Sequence, residues 1–223
     1  MHDYAWLQAF ALNRFGSLAA LQAQLPQPRS RDALRALPDD RYLSTITLRI
    51  FRAGLKHSLV DAKWPAFEEV FFGFDPRKVV LMGAEHLERL TQDKRLIRHL
   101  GKLKSVPRNA QMILDAAQER GSFGALVAEW PASDITGLWR YLVKHGNQLG
   151  GLSAPRCLRM LGKDTFILTD DVVAALVAQG IVSKRPTSQR DVAVVQEAFN
   201  IWQEQSGRPL CQLSVMLAHT VNH

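Results

Sequence analysis

Apolar residues recur every three to five positions along most of this chain. The first long stretch with this spacing is formed by Leu43, Ile46, Ile50, Leu55 and Leu59. Residues at such intervals lie on one face of an α-helix. Asp39 and Asp40 precede the stretch, and carboxylates favour the first turn of a helix because they complement its dipole. The pattern therefore predicts a helix that begins near Asp39 and presents one apolar face.

The remaining helices are delimited by residues that start or stop helices. Thr169 and Ser188 are suited to cap the helices that follow them, Ser153 to cap another, and Gly121 to end one. No segment alternates apolar and polar residues as a half-buried strand does. The fold class is predicted to be all-α, with helices over 102–120, 135–144, 154–161, 170–179, 189–205 and a last one after Pro209.

Composition places the chain among globular proteins. Hydrophobic residues make up 47% and charged residues 22% of the 223 positions, which excludes a disordered chain. We expect residues 1–38 to form an N-terminal helix and loop, and residues 39–223 to form the main domain. The terminal helices are expected to pack on that domain as one globular unit.

Location is predicted from three features of the sequence. No apolar run is long enough to cross a membrane, and the N-terminus lacks the basic start of a signal peptide. Cys157 and Cys211 are the only cysteines, so there is no disulfide framework, as is typical of a reducing compartment. We therefore expect a cytoplasmic protein without a membrane partner.

The charge balance favours polyanionic partners. Lys and Arg number 28 against 21 acidic residues, giving a formal net charge of +7. One basic run contains Arg95, Arg98, His99, Lys102, Lys104 and Arg108. Arg98 and Lys102 are one helical turn apart and are predicted to share a face that follows DNA phosphates. A solvated helix face is the alternative interpretation.

A glycine-rich turn joins two predicted helices at His145–Gly151. Gly150 and Gly151 precede the helix that carries Ser153 and Arg156. Glycines let the main chain approach a phosphate closely, and amide groups at a helix start bind anions. The turn therefore indicates a grip on a DNA backbone, although glycine-rich turns are also common as plain loops.

Asp170 lies 20 residues after Gly150, at the start of the next helix. This spacing resembles the helix-hairpin-helix DNA glycosylase superfamily, whose catalytic aspartate follows the hairpin by about that interval. The resemblance implies that Asp170 is catalytic. The alternative is an ordinary carboxylate in the first turn of a helix.

A more specific resemblance lies in the middle of the chain. The segments that carry it are Ala53-Gly54-Leu55, Phe72-Gly73-Phe74-Asp75-Pro76-Arg77-Lys78-Val79, Gln92-Asp93, Ile97-Arg98-His99, Gly101-Lys102 and Asn109-Ala110. In order and spacing they resemble the DNA-3-methyladenine glycosylase I family. The resemblance extends from about Leu43 to Leu114 and continues more weakly from Gly150 to Val173.

Several functional positions of that family carry different residues here. The position of its pocket glutamate is Arg49, and that of a pocket tryptophan is His57. Its zinc ligands correspond to Asp171 and Ala175, so we expect no structural zinc and no other cofactor. His219 and His223 have a chelating spacing, but no third ligand is evident.

The resemblance implies a DNA N-glycosylase of base excision repair. Such an enzyme flips a damaged base, here expected to be an alkylated purine, out of double-stranded DNA and releases it by hydrolysis. We expect it to act as a monomer. One alternative is a DNA-binding or lesion-recognition protein of this fold without catalysis, which Arg49 and His57 favour. The other is a helical protein-interaction domain.

Overall fold

A computed structural model describes residues 1–221. Within this part the chain is all-α, as predicted, and forms no β-strand. The helices are α1 (Tyr4–Phe15), α2 (Leu18–Gln24), α3 (Arg31–Ala36), α4 (Asp39–Arg52), α5 (His57–Val70), α6 (Pro76–Val79), α7 (Ala84–Leu90), α8 (Leu100–Arg120), α9 (Phe123–Glu129), α10 (Ile135–His145), α11 (Ser153–Leu161), α12 (Asp170–Ala178), α13 (Gln189–Ser206) and α14 (Leu210–Ala218).

The predicted helix starts are confirmed at α12, α13 and α14. The hydroxyl of Thr169 accepts a hydrogen bond from the Val172 amide, at 3.3 Å. Ser188 accepts one from the Asp191 amide, at 3.0 Å. Each bond satisfies an amide that has no partner within the helix. Ser153 differs from the prediction, because it is the first residue of α11 rather than the residue before it.

The first periodic stretch is not one continuous helical face. Helix α4 ends at Arg52, and α5 begins at His57. Gly54 lies between them with φ of +76°, a left-handed conformation that turns the chain. Leu55 and Leu59 are consequently 37% and 49% exposed. The prediction that these two leucines extend the buried face of Leu43 is therefore wrong.

One compact unit of the chain comprises residues 1–29, 131–137 and 162 onward. In it, α1 packs on α13 and α14, and the indole nitrogen of Trp202 donates to the carbonyl of His2 at 2.9 Å. The carboxylate of Asp164 accepts hydrogen bonds from the first two amides of α14, at 2.9 and 2.8 Å. These contacts join segments that are far apart in sequence into one core.

The second compact unit comprises residues 30–130 and 138–161. Helix α4 is central in it and packs against α5, α8, α9 and α11. A series of stacked rings lies beside α4, with centroid separations of 5.1 Å, 6.1 Å and 5.5 Å between successive members: Trp64, Phe67, Phe71 and Phe74. Buried aromatic rings contribute large apolar areas, so this series is a principal part of the core.

Two further expectations concern membrane spans and the division of the chain at residue 38. No helix within residues 1–221 is long and apolar enough to cross a membrane. The predicted division at residue 38, with the remainder as one globular unit, stays a prediction.

Candidate functional site

The glycine-rich turn connects α10 to α11 within the second unit. Its first glycine is required by space, because a Cβ on Gly146 would lie 2.6 Å from the Leu142 carbonyl oxygen. Gly151 has φ of +57°, which favours glycine. Around Gly150 there is open space, and no atom lies within 4 Å of its ideal Cβ position. The backbone at Gly150 and Gly151 is thus open to the approach of a ligand.

The amides at this turn are divided between two roles. The Ser153 amide donates to the Gly150 carbonyl at 3.1 Å, and the Ala154 amide donates to the Leu149 carbonyl at 3.2 Å. The amides of Gly150 and Gly151 make no hydrogen bond with any described residue. Ser153 is buried and Arg156, one turn further on, is exposed. Free amides beside an exposed arginine can bind an anion such as a phosphate.

Asn109 of α8 fastens this turn, a role that the sequence did not indicate. Its side-chain amide donates to the Asn147 carbonyl at 3.1 Å and accepts from the Asn147 amide at 2.7 Å. The residue is fully buried. Asn109 lies in a segment that carries the family resemblance, but nothing in its local sequence identifies a contact 38 residues away.

The basic run before and along α8 differs from its prediction. Helix α8 begins at Leu100, so Arg98 precedes the helix and does not share a helical face with Lys102. His99 ends the loop by accepting a hydrogen bond from the Lys102 amide, which fixes the helix start. Arg98 is exposed. Arg95 is neutralised by Asp93 and Glu69, with ion pairs of 2.9 and 3.0 Å.

Lys102 is directed toward the end of α4. Its ammonium group donates to the carbonyls of Phe51 and Ala53, at 3.3 and 2.7 Å. Burial, followed by the positive charge of Arg49, lowers the pKa of Lys102. Lys102 therefore binds the C-terminus of a helix as well as adding to the local positive charge.

The two predicted pocket residues lie in different environments. Arg49 of α4 is buried, whereas His57, the first residue of α5, is exposed. Arg49 makes no hydrogen bond or ion pair with any described residue, and its Nε is sealed from solvent without an acceptor. Burial, followed by the charge of Arg156, lowers the pKa of Arg49.

Asp170 belongs to the first unit, where it begins α12. Its carboxylate is almost fully exposed and forms an ion pair with Arg185. Arg185 also donates to the carbonyl of Leu168, at 3.0 Å, which orients the guanidinium beside the helix start. Asp171 is half-buried and has a partner of its own. An exposed carboxylate held by an arginine can stabilise positive charge on an approaching ligand.

Over residues 1–221, no three His, Cys, Asp or Glu residues form a group that could hold a metal ion. His219 follows α14, and His223, its suggested partner, lies outside the described residues. Burial raises the pKa of the Cys157 thiol to about 12, and the positive charge of Arg49 offsets only part of this rise. The expectation of no zinc and no cofactor stays a prediction.

Comparison with known proteins points to one family. The family described as methyladenine glycosylase matches residues 35–145. DNA-3-methyladenine glycosylase 1 of Escherichia coli (strain K12) is 39% identical over 72 residues, which cover 32% of this chain and 38% of that protein. DNA-3-methyladenine glycosylase of Haemophilus influenzae is 36% identical over 63 residues, covering 28% and 34%. The chain thus matches less than two-fifths of the length of these relatives.

A solved structure with the same fold aligns with a larger part of this chain. A mutant of 3-methyladenine DNA glycosylase I from Staphylococcus aureus superposes with a TM-score of 0.53 at 21% identity, covering 78% of this chain and 97% of that one. The similarity confirms the predicted all-α, helix-hairpin-helix glycosylase fold.

Proposed function

We propose that this chain, whose residues 35–145 match the methyladenine glycosylase family, is a DNA N-glycosylase of base excision repair. The observation that carries the proposal is the turn between α10 and α11, where the Gly150 and Gly151 amides donate to no described residue and the backbone is open. A glycosylase of this fold needs such a grip, because it must hold the duplex while a nucleotide is extruded from the stack.

Double-stranded DNA is the proposed partner. The amides of Gly150 and Gly151, together with the hydroxyl of Ser153 at the start of α11, would receive one phosphate. Arg156 and Arg98 are exposed, and Lys102 adds positive charge nearby in the same unit. These contacts do not read sequence, so affinity should fall steeply with salt as counterions are released.

Asp170 is proposed to carry the chemistry. In hydrolysis of an N-glycosidic bond, the C1′–N bond breaks and its electron pair leaves with the base, so positive charge develops on the sugar. A carboxylate stabilises that charge and accepts the proton of the attacking water. The carboxylate of Asp170 forms an ion pair with Arg185 but remains almost fully exposed, so it is accessible to such a sugar.

Single-turnover release of bases from a panel of lesion-containing duplexes tests the proposal. We expect Asp170→Asn to slow release roughly 100-fold or more, because one well-placed electrostatic stabiliser is lost. Asp171→Asn is the matched control and should have a mild effect. Base release by Asp170→Asn at the wild-type rate would contradict the catalytic role.

The same measurements separate the alternatives. Tight duplex binding without release of any base would favour a lesion-recognition protein of this fold. Duplex binding that is absent or independent of salt would favour a helical protein-interaction domain instead.

The setting of the reaction is also part of the proposal. We place the protein in the cytoplasm as a monomer that requires no metal. Both cysteines are buried, and neither forms a disulfide within the described residues, which suits a reducing compartment. Light scattering of the purified protein checks the monomer, and activity that survives extensive chelation checks the independence from metal.

A further inference from the structure

Arg49 is a buried cation without a partner. Its side chain belongs to the interior of the second unit, since the residue is only 7% exposed. It makes no hydrogen bond or ion pair with any described residue, and its Nε has no acceptor. Most buried charges are paired, because removing an ion from water is costly unless an opposite charge or hydrogen bonds replace the water.

The surroundings add positive charge to the site. Arg156 and Arg52 repel the Arg49 guanidinium, and Arg49 in turn repels Lys102. Arg52 is offset by its own ion pair with Asp61, at 2.7 Å. Within residues 1–221, no carboxylate forms a hydrogen bond or ion pair with Arg49.

The thiol of Cys157 does not serve as a counterion for Arg49. Cys157 is fully buried, and burial raises the pKa of its thiol to about 12, so it is neutral at physiological pH. A ligand that brings hydrogen-bond acceptors would therefore be stabilised beside the Arg49 guanidinium.

On the proposed function, two parts of DNA can supply acceptors. A backbone phosphate remains linked to its neighbours and hydrated, and the exposed Arg156 and the free amides of Gly150 and Gly151 suit it better. A flipped base is planar and leaves the stack to enter an enclosed site. The low exposure of Arg49 favours the base.

We propose that Arg49 selects an uncharged 6-oxopurine lesion, such as hypoxanthine or 8-oxoguanine, and rejects a cationic alkylated purine. The inference rests on the proposed glycosylase function. A guanidinium donates paired N–H groups to adjacent acceptors on a purine edge, as arginine does with guanine O6 and N7. It repels a base that carries positive charge.

The same contact assists departure of an uncharged base. When the C1′–N9 bond breaks, its electron pair stays on the purine, and negative charge spreads toward the carbonyl that faces Arg49. Water adds to C1′, and the proton that this water gives up ends on the released base. A fixed cation beside the developing charge lowers the barrier. A cationic purine leaves as a neutral base and has no such requirement.

Base release under single-turnover conditions tests this assignment. The substrates are duplexes containing hypoxanthine or 8-oxoguanine, and methylated duplex containing 3-methyladenine and 7-methylguanine. We expect the wild type to release an uncharged 6-oxopurine faster than either methylated base. Arg49→Gln should lose at least about 10-fold on the 6-oxopurine, the scale of one charge-assisted contact, and gain on the methylated bases.

Two further variants keep the test decisive. Arg35→Gln removes an equal charge from an exposed ion pair with Glu129 and should leave selectivity unchanged. Arg49→Lys keeps the charge but loses the planar fork, so it should release 6-oxopurines more slowly without gaining on methylated bases. It replaces Arg49→Gln if that variant does not fold.

The possible failures are distinguishable. Preferential release of 3-methyladenine by the wild type, or an unchanged preference in the Arg49 variants, would overturn this inference and leave the glycosylase function standing. If neither the wild type nor any variant releases a base from any duplex, the proposed function falls and this inference with it.

Discussion

Arg41 and Arg49 lie on the same helix, α4, eight residues apart, and have opposite surroundings. The Nη atoms of Arg41 donate to both carboxylate oxygens of Glu68, at 3.0 and 2.9 Å, and to the Gly73 carbonyl, at 2.7 Å. Its Nε donates to Asp40 at 3.1 Å. Arg49 has none of these partners, although it is the more deeply buried of the two.

The pKa values of the two guanidinium groups consequently shift in opposite directions. The hydrogen bond to Glu68 raises the pKa of Arg41, whereas burial lowers the pKa of Arg49. Arg41 also fixes a turn in which Phe72, Gly73 and Phe74 all have positive φ, a conformation that non-glycine residues adopt only when their surroundings enforce it. Arg41 thus has partners that hold it in the fold, whereas no described residue offsets the burial of Arg49.

The largest expected effect is the loss of stability when Arg41 is replaced. Arg41→Met should lower the free energy of unfolding by about 2–3 kcal/mol, because it breaks a bidentate pair and leaves Glu68 without its cation. Urea denaturation measures the change. Arg35→Met, in an exposed pair with Glu129, is the control and should cost less than about 1 kcal/mol. Equal losses in the two variants would contradict the role given to Arg41.

A smaller effect is expected at Asn109, a polar group with hydrogen-bond partners that supports the proposed DNA interface. Asn109→Ala removes both bonds to Asn147 and should weaken duplex binding by about 10-fold, the equivalent of one lost hydrogen bond or more. The salt dependence should keep its slope, because the number of phosphate contacts is unchanged. Fluorescence anisotropy over a salt series measures both quantities. Unchanged affinity would show that Asn109 does not position the turn.

The smallest expected effect is a dependence of stability on pH. Burial alone would raise the pKa of Glu68, but hydrogen bonds from Arg41 and Ser44 outweigh it and lower the pKa below the usual 4.5. A depressed carboxyl pKa adds stability above its unfolded value, and this is lost as the pH falls through the folded value.

Denaturation of the wild type and Glu68→Gln tests this dependence. The wild type should be the more stable at about pH 7, and the difference should shrink once the pH falls through the lowered pKa of Glu68 and its carboxylate becomes protonated. Asp39, whose pKa burial raises, acts in the opposite sense in both proteins. A difference that does not change with pH would indicate that Glu68 is not ionised in the fold.

Local features of the sequence were sufficient for much of the fold. The caps at Thr169 and Ser188 and the apolar periodicity depend on neighbours within one or two helical turns, so they can be read from the chain directly. The break at Gly54 was missed because Leu55 and Leu59 happen to continue the spacing of the preceding helix.

The candidate site could be predicted only in part. Arg41 meets Glu68 from 27 positions away, and Asn109 meets Asn147 from 38, so neither contact leaves a local pattern. Arg49 could be identified from the family resemblance, yet its lack of a partner depends on everything packed around it. The roles of Asp170, His57 and the DNA-binding residues stay predictions.

The most direct test of the account is the stability of DNA-free Arg49→Met. Methionine keeps much of the side-chain volume and removes the uncompensated charge. The account predicts that the free energy of unfolding rises by about 1–3 kcal/mol, opposite in sign to Arg41→Met. A loss of stability comparable to that of Arg41→Met would show that Arg49 already stabilises the fold, and would contradict a cation that awaits its ligand.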